Sequence, residues 1–290
     1  MKPIDPAWWA ALQARAARPP RRPRVPLWVG SDQPVQIGTV EPDFLHQIGQ
    51  KAFNDNGLLL QKLEHDGCAG WCVDGPVTAA LNRLARMLAD AGLAGAWRDE
   101  QLAVCDAQGR RLGTIERAAV RPLGITTHAV HLVGLAADGR VWVQQRAFNK
   151  ANDPGLWDTL MGGMVGADDT LALALARETW EEAGLRVDDL QGLRYGGHVQ
   201  LAGPSRDGAG AGYVTERIDW YMATVPQGQV PQNQDGEVEQ FACMDLPRLQ
   251  QALLDHQFTT EAEGILCEAL GEHLGLPYDA KLSPNAERVL

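Results

Sequence analysis

The sequence predicts an α/β sandwich over residues 119–290, preceded by a smaller α+β domain over residues 1–118. Three observations predict this arrangement. The pattern of the chain changes near Ile125, where apolar, strand-like runs begin. A clear helix is predicted over residues 169–183 between such runs, and strands that alternate with helices are typical of an α/β fold. The length of 290 residues allows one large or two modest domains.

The elements of the first 118 residues are short and carry no cluster of reactive side chains. The N-terminal residues Trp8, Trp9 and Leu12 suit a short docking helix, although an arginine-rich, acid-poor start is also typical of organellar transit peptides. The following elements are predicted from apolar spacing and turn residues: strands at 35–40 and 58–62, a helix at 78–91 ended by Gly92, and a hairpin of 102–105 with 112–116.

Residues 119–290 are predicted to form strands on both sides of one helix in the sequence. Asp138-Gly139 favours a tight hairpin between its first two strands. Gly162-Gly163 is expected between a short run and the helix, whose start either Asp168 or Asp169 can cap and which Gly184 ends. The predicted strands are 129–135, 141–145, 213–225 and 237–244, and two further helices are predicted at 246–256 and 261–274.

Composition and charge exclude several function classes. The formal net charge is −11, so a general nucleic-acid binder is excluded, because binding to phosphate backbones requires a basic surface. No run approaches the roughly 18 apolar residues of a membrane span. An acidic chain that acts on a phosphorylated substrate is expected to place a divalent cation between its carboxylates and the phosphates. Five widely spaced cysteines suggest reduced thiols and a cytoplasmic protein.

The chemically informative feature is the acidic edge of the predicted helix 169–183. Glu178, Glu181 and Glu182 fall within an arc of about 100° on a helical wheel, beside the small Ala174 and opposite an apolar face. Such glutamates are often only a solvated face, but no lysine occurs between residues 163 and 185 to pair with them. A divalent cation such as Mg²⁺ would turn their mutual repulsion into attraction. The flanking glycine pair would let bare backbone approach a metal or phosphate closely.

At fixed spacing these residues resemble the Nudix box, G-x5-E-x7-R-E-U-x-E-E-x-G-U, where U is bulky and aliphatic. The matching residues are Gly163, Arg177, Glu178, Glu181, Glu182, Gly184 and Leu185. Asp169 stands in place of the first glutamate and Thr179 in place of the first aliphatic residue. The resemblance implies a Nudix fold and ligation of Mg²⁺ or Mn²⁺ by Glu178, Glu181 and Glu182. It also implies an Arg177–Asp169 ion pair, which the shorter aspartate is expected to make looser or water-bridged.

The resemblance extends to the runs IERAAVRPLGITTHAVHLVGL, WVQQRAFNK, DPGLWDTLMGG and DGEVEQF. These runs are similar to those of a two-domain Nudix branch, which is related to the Nudix-like part of fungal thiamine pyrophosphokinase proteins. It implies a metal-dependent hydrolase that cleaves the diphosphate linkage of a small organic diphosphate, with thiamine diphosphate or an oxidised derivative as a candidate. Two alternatives stay open: an enzyme resembling isopentenyl-diphosphate isomerase, which would rely on a cysteine and a glutamate, and a non-catalytic ligand sensor.

Further residues are candidates for catalysis and for substrate binding. Glu181, Glu182, Glu237 and Glu239 are the candidate catalytic carboxylates, and any of the last three can orient or deprotonate the attacking water. Arg146 and Lys150 are candidates for holding the diphosphate, together with the backbone of Gly162 and Gly163. His131 either contacts substrate or is an ordinary buried histidine. The partner is a small molecule, with no nucleic acid and no membrane, and the sequence leaves open whether the chain forms a homodimer.

Overall fold

A computed structural model of the chain describes residues 3–48, 54–55, 58–276 and 281–282. Its helices are α1 (Pro6–Ala16), α2 (Val77–Asp90), α3 (Arg117–Val120), α4 (Leu171–Ala183), α5 (Leu246–Leu254) and α6 (Thr260–Leu270). Its strands are β1 (Val25–Val29), β2 (Val35–Val40), β3 (Asn54–Asp55), β4 (Leu58–His65), β5 (Cys68–Asp74), β6 (Gln101–Cys105), β7 (Arg111–Glu116), β8 (Thr127–Ala136), β9 (Val141–Arg146), β10 (Trp157–Asp158), β11 (Met161–Met164), β12 (Gln191–Pro204), β13 (Tyr213–Val225) and β14 (Val238–Met244).

The N-terminal region is a five-stranded sheet, in the order β2-β1-β5-β4-β3, packed with α2 and the separate β6–β7 hairpin. Helix α2 buries Leu81, Leu84 and Leu88 completely, as expected from their recurrence on one helical face. The helix ends before Gly92, whose φ of 68° is the left-handed conformation that glycine adopts at little cost. The predicted α+β character of this region is confirmed.

The C-terminal region is a three-layer sandwich. Its seven-stranded sheet has the path β10-β9-β8-β13-β12, with β11 joined to β8 and β14 joined to β9. Strands β8 and β13 run parallel, and the other neighbours are antiparallel. Helix α4 covers one face of the sheet, whereas α1, α5 and α6 contribute to the core on the other face. The predicted α/β class is therefore confirmed.

Helix α1 docks on this C-terminal sandwich although it begins the chain. Its residues Leu12 and Ala16 are buried in the core beneath α6, and Arg15 forms an ion pair with the buried carboxylate of Glu263. Conversely, residues 119–125 belong to the N-terminal core. The division of the chain after residue 118 stays a prediction. The two regions share elements across it, because α1 packs in the C-terminal core and residues after 118 pack in the N-terminal core.

Two local features differ from the sequence expectations. Strand β12 was not predicted, because its glycine-rich sequence lacks a clean apolar alternation, yet it pairs with β13 over almost its whole length. Gly162 and Gly163 lie inside strand β11, paired with β8, and not in a connection between a strand and the helix. Among the described residues, no helix has both the length and the apolarity needed to cross a membrane.

Candidate active site

A cavity of about 630 Å³ lies between the N-terminal region and the sandwich. It is lined by acidic side chains from α4 on one side and by basic side chains from several elements on another. Its volume falls in the usual range of small-molecule sites. Of the residues named from the sequence, the following line it: His131, Arg146, Lys150, Gly162, Gly163, Glu178, Glu181, Glu182 and Glu237.

Helix α4 supplies the acidic side. The Thr170 hydroxyl accepts a hydrogen bond from the Leu173 N–H (3.2 Å) and caps the helix, so the prediction of Asp168 or Asp169 as the cap was wrong. The helix is rotated relative to the predicted orientation. Leu173 and Trp180 lie opposite the acidic edge on the helical wheel and were therefore expected to be buried. They are 57% and 51% exposed, because the buried face is shifted toward the acidic edge and includes Glu182.

Glu178, Glu181 and Glu182 form what we call the carboxylate wall, and Arg177 ties two of them together. Arg177 Nη1 lies 2.7 Å from a Glu178 oxygen and 3.0 Å from a Glu181 oxygen. Its Nη2 donates to Asp169 (2.8 Å) and to the Met164 carbonyl (3.1 Å). The Arg177–Asp169 ion pair is therefore direct, and the expectation of a looser or water-bridged pair was wrong. Although burial opposes the charge, these carboxylates raise the pKa of Arg177.

Gly163 is required by the close approach of Glu178 to strand β11. A Cβ on Gly163 would lie 2.0 Å from Cδ of Glu178, so any side chain there would displace the carboxylate. Gly162 has the same relation to His131, whose Cε1 would lie 2.4 Å from an added Cβ. The glycine pair thus lets the side chains of Glu178 and His131 pack against bare backbone. The sequence had predicted such a close approach for a metal or a phosphate, and not for these two side chains.

Glu182 is the buried member of the carboxylate wall. It is 3% exposed and accepts hydrogen bonds from Gln144 Nε2 (2.8 Å) and from the Gly162 N–H (3.0 Å). Burial raises its pKa to about 8, against the opposing effect of these two donors. Burial likewise raises the pKa of Glu178, although Arg177 opposes this change. Ionisation of either carboxylate therefore carries a desolvation cost that a bound cation would offset.

The cavity lining also includes the two predicted phosphate-binding cations, each of which forms an ion pair. Arg146 Nη1 lies 3.3 Å from the buried Asp158, and Lys150 forms an ion pair with Glu237. Burial works against ionisation of Glu237, but the hydrogen bond from Lys150 and nearby positive charges outweigh it and lower its pKa. Glu237 is therefore an ionised carboxylate beside the cavity, whereas Glu239 is exposed on β14 and is not among the lining residues.

His131 is a buried, neutral side chain at the base of the cavity. Its Nδ1 lies 3.0 Å from the Thr159 hydroxyl, and burial lowers its pKa. Its ring also abuts Gly162, so the structure shows a buried histidine with a hydrogen-bond partner, and contact with a substrate stays a prediction.

Several lining residues were missed by the sequence reading. Asp153, Asp158, Glu216 and Glu261 add carboxylates, and Arg98, Arg117 and Arg121 add cations from the N-terminal region. Burial and the neighbouring carboxylates raise the pKa of Glu261 to about 7. These residues come from separate elements and share no spacing that a sequence pattern would reveal. Asp153 and Asp158 lay in a quoted run, DPGLWDTLMGG, and Arg117 and Arg121 lay in another, IERAAVRPLGITTHAVHLVGL, but the resemblance gave none of them a role.

The carboxylate wall fits a hard divalent cation by its chemistry, because carboxylate oxygens are the ligands that Mg²⁺ and Mn²⁺ take in proteins. Within the described ranges, no three Asp, Glu, His or Cys side chains are arranged as a ready ligand set. The physical reason at this site is that the Arg177 guanidinium lies between Glu178 and Glu181. The costly burial of Glu178 and Glu182 is the structural observation that favours a cation here.

Comparison with known proteins gives a domain and three informative relatives. The NUDIX domain family matches residues 126–265. An uncharacterized Nudix hydrolase of Pseudomonas aeruginosa is 39% identical over 87 residues, covering 30% of this chain and 52% of that protein. An uncharacterized protein of Saccharomyces cerevisiae is 24% identical over 212 residues, covering 67% and 61%.

The third relative belongs to a different reaction class. An isopentenyl-diphosphate Δ-isomerase of Corynebacterium glutamicum is 34% identical over 90 residues, covering 31% of this chain and 48% of that protein. The matched stretches therefore span only about half to three fifths of the length of these relatives.

Proposed function

We propose that the chain, whose residues 126–265 match the NUDIX domain family, is a metal-dependent hydrolase of small organic diphosphates. One observation carries the proposal. The acidic edge of α4 faces a cavity of about 630 Å³ that also contains Arg146 and Lys150, whereas a merely solvated acidic face would point into open water. Hydrolysis of a diphosphate requires carboxylates that bind a cation and positively charged side chains that bind phosphate, in the same cavity.

The proposed reaction is attack of water on one phosphorus of the diphosphate. A divalent cation held by Glu178, Glu181 and Glu182 would neutralise charge on the phosphate oxygens. Arg146 and Lys150 bind and orient the phosphates, and the Gly162-Gly163 backbone admits close approach. Glu237 is our preferred base, because it is ionised, lines the cavity and lies beside Lys150. Glu182 remains the alternative base, and Glu239 is set aside because it does not line the cavity.

For the organic group we propose thiamine diphosphate or an oxidised derivative as the first candidate. The support is the resemblance to the fungal thiamine pyrophosphokinase-related branch, together with one feature of the cavity. Asp158, Glu216 and Glu261 line the cavity separately from α4, and such carboxylates favour a positively charged organic group such as a thiazolium ring. The five cysteines are free thiols, which supports the proposed cytoplasmic location.

The isomerase alternative is favoured by the 34% identical relative but not by the cavity. The cysteine on which such an enzyme would rely is absent from the described cavity lining. A product assay separates the two reactions, because hydrolysis yields a monophosphate and phosphate, whereas isomerisation yields an isomer with an intact diphosphate. Tight binding of a diphosphate without any product would instead support the ligand sensor.

The deciding experiment is a screen of purified protein against organic diphosphates with Mg²⁺, scored by chromatographic detection of the monophosphate products. It includes thiamine diphosphate, its oxygenated analogues, ADP and ADP-ribose. Glu181→Gln and Glu182→Gln should each lower turnover by at least about 100-fold while the fold, followed by circular dichroism, is retained. Chelation of the metal should have the same effect as these substitutions.

The matched control is Glu239→Gln, because it makes the same change at an exposed glutamate outside the cavity. It should leave turnover within about twofold of the parent, as expected for a surface substitution. Near-normal Mg²⁺-dependent turnover in both Glu181→Gln and Glu182→Gln would refute the assignment of the carboxylate wall.

A further inference from the structure

Three arginines of the N-terminal region line the same cavity as the carboxylate wall. Arg98 lies in the loop before β6, Arg117 is the first residue of α3, and Arg121 directly follows that helix. We call these three residues the arginine wall. None of them belongs to the segment 126–265 that matches the Nudix domain. The N-terminal region, for which the sequence assigned no role, thus supplies part of the cavity surface.

The backbone around the arginine wall is held by a buried carboxylate. Glu116 is 1% exposed and accepts hydrogen bonds from the N–H groups of Arg98 (2.9 Å) and Ala118 (3.4 Å). The Arg117 N–H donates to the Glu100 carbonyl (2.9 Å), which joins α3 to the loop that carries Arg98. These contacts fix the backbone of Arg98 and Arg117, and the side chains of both residues are part of the cavity lining.

The three arginines differ in how far their charge is compensated. Arg117 Nη1 lies 2.6 Å from a Glu100 oxygen, and Arg121 Nη1 lies 3.6 Å from Asp207. Arg98 forms no ion pair with any residue in the described part of the chain, and its side chain is exposed at the cavity. It is the cation of this wall with the most capacity left for an anionic ligand, and a guanidinium binds phosphate oxygens in a bidentate manner.

The arginine wall lies close to the proposed reaction centre. Glu178, Glu237 and Arg117 all line the one cavity of about 630 Å³, so the arginine wall and the carboxylate wall face the same space. A diphosphate that contacts the carboxylate wall through a cation would extend toward the arginines with its far phosphate.

We propose that the arginine wall binds the terminal phosphate of the substrate, so that the enzyme selects organic diphosphates whose second phosphate is unsubstituted. A terminal phosphate carries about two negative charges at neutral pH, whereas a phosphate esterified on both sides carries one. A cluster of three arginines favours the more highly charged end. This inference rests on the proposed function for its substrate class but concerns residues outside the Nudix domain.

The test compares ADP, which has a free terminal phosphate, with ADP-ribose, in which both phosphates carry organic groups. The parent protein should have the higher kcat/KM for ADP. Arg98→Ala should raise KM for ADP by about five- to tenfold with kcat changed by less than about twofold, since a contact present in both ground and transition states affects KM alone. For ADP-ribose the same substitution should change KM by less than about twofold.

Two further variants keep the interpretation specific. Arg21→Ala removes one exposed arginine outside the cavity lining and should change neither KM, so it controls for the general loss of positive charge. Arg98→Lys keeps the charge but loses the planar fork and should give an intermediate KM for ADP. Equal effects of Arg98→Ala on both substrates, or an effect equal to that of Arg21→Ala, would overturn the proposal.

Binding of inorganic pyrophosphate, measured by titration calorimetry, tests the wall without turnover. The Kd should rise by about five- to tenfold in Arg98→Ala and stay unchanged in Arg21→Ala. If the parent protein cleaves no diphosphate but this binding difference is found, the proposed function fails and the anion site stands. If diphosphates are cleaved but pyrophosphate binding is the same in all variants, the arginine wall has no role in binding.

Discussion

The carboxylate wall and the arginine wall lie around one cavity, but they are built in opposite ways. The three glutamates of the carboxylate wall come from a single helix within five residues of sequence. The three arginines come from a loop, the start of a helix and the segment after it, and span 24 residues, Arg98 to Arg121. Helical periodicity alone places the first set on one edge, whereas only the packing of separate elements places the second. A set of residues that one helix aligns can be recognised from the sequence, whereas a set assembled from separate elements cannot.

The two walls also differ in their internal compensation. Arg177 links Glu178 and Glu181, so a divalent cation that binds these carboxylates would have to compete with its guanidinium. In the arginine wall each compensating carboxylate is a separate residue, and Arg98 has none within the described chain. The comparison predicts that damage to the carboxylate wall affects turnover, whereas damage to the arginine wall affects binding. Three substitutions sharpen this contrast, beside those already given for Glu181 and Arg98.

The largest expected effect is that of Gly163→Ala, which breaks the carboxylate wall without removing a charge. The added Cβ would lie 2.0 Å from Cδ of Glu178 and must displace that carboxylate. A displacement of about 1 Å at a catalytic group costs on the order of 100-fold in rate, so kcat should fall by about that factor. Steady-state kinetics with the best substrate of the screen measures it, and pyrophosphate binding without metal should change by less than about threefold.

The matched control is Gly203→Ala, the same change in a strand that does not line the cavity. There the new Cβ would lie 3.2 Å from the flexible end of Arg18, which can move away at little cost. Both variants should retain their far-ultraviolet circular dichroism. If Gly163→Ala kept full turnover, the close contact of Glu178 with β11 would be irrelevant to function, and the contrast between the two walls would lose its main support.

An intermediate effect is expected for Glu261→Gln, which changes a carboxylate of the cavity that belongs to neither wall. Burial and three nearby carboxylates raise the pKa of Glu261 to about 7, from a usual 4.5. The folded state therefore holds this proton more tightly than the unfolded state, and the free energy of unfolding falls as pH rises from about 4.5 to about 7. Because glutamine cannot ionise, Glu261→Gln should be about 1–3 kcal/mol more stable than the parent at pH 8.

Urea unfolding at pH 5 and pH 8 measures this difference, which should be nearly absent at pH 5. Glu272→Gln, at an exposed glutamate just after α6, is the control and should show the same small difference at both pH values. A gain in stability for Glu261→Gln that does not depend on pH would show that better packing, and not relief of a buried charge, is responsible.

The smallest effect is expected for Asp169→Asn, which tests how firmly Arg177 organises the carboxylate wall. The Asp169 side chain is 23% exposed and that of Arg177 is 38% exposed, so the direct ion pair is partly screened by solvent. Its loss should lower the free energy of unfolding by about 0.5–1 kcal/mol.

Asp168→Asn is the control for that measurement, because Asp168 is fully exposed and lies 3.5 Å from Arg111. It should be neutral within about 0.3 kcal/mol. Equal effects of the two substitutions in urea unfolding would mean that the Arg177 pair contributes no more than an ordinary surface contact. A large loss of turnover in Asp169→Asn would instead show that Arg177 needs this partner to keep Glu178 in place.

Much of the fold was accessible to sequence reasoning because its elements have local signals. The α4 helix was predicted from apolar spacing and its Gly184 end, and the β8–β9 hairpin from Asp138-Gly139. Strand β12 was missed because its strand character comes from pairing with β13 and not from alternating side chains. The rotation of α4 was misjudged because a polar residue, Glu182, is buried where a hydrogen-bonding strand and Gln144 receive it.

The sequence by itself determined the spacing of Glu178, Glu181 and Glu182, the acidic balance of the chain and the glycines beside the helix, since each depends on neighbours along the chain. The tertiary structure decided that this acidic edge faces a cavity, that Glu237 and Lys150 form an ion pair in its lining, and that Arg98 reaches it from the N-terminal region. Those facts depend on how sheets and helices pack together, and residues far apart in sequence carry no periodic signal of a contact that only packing creates.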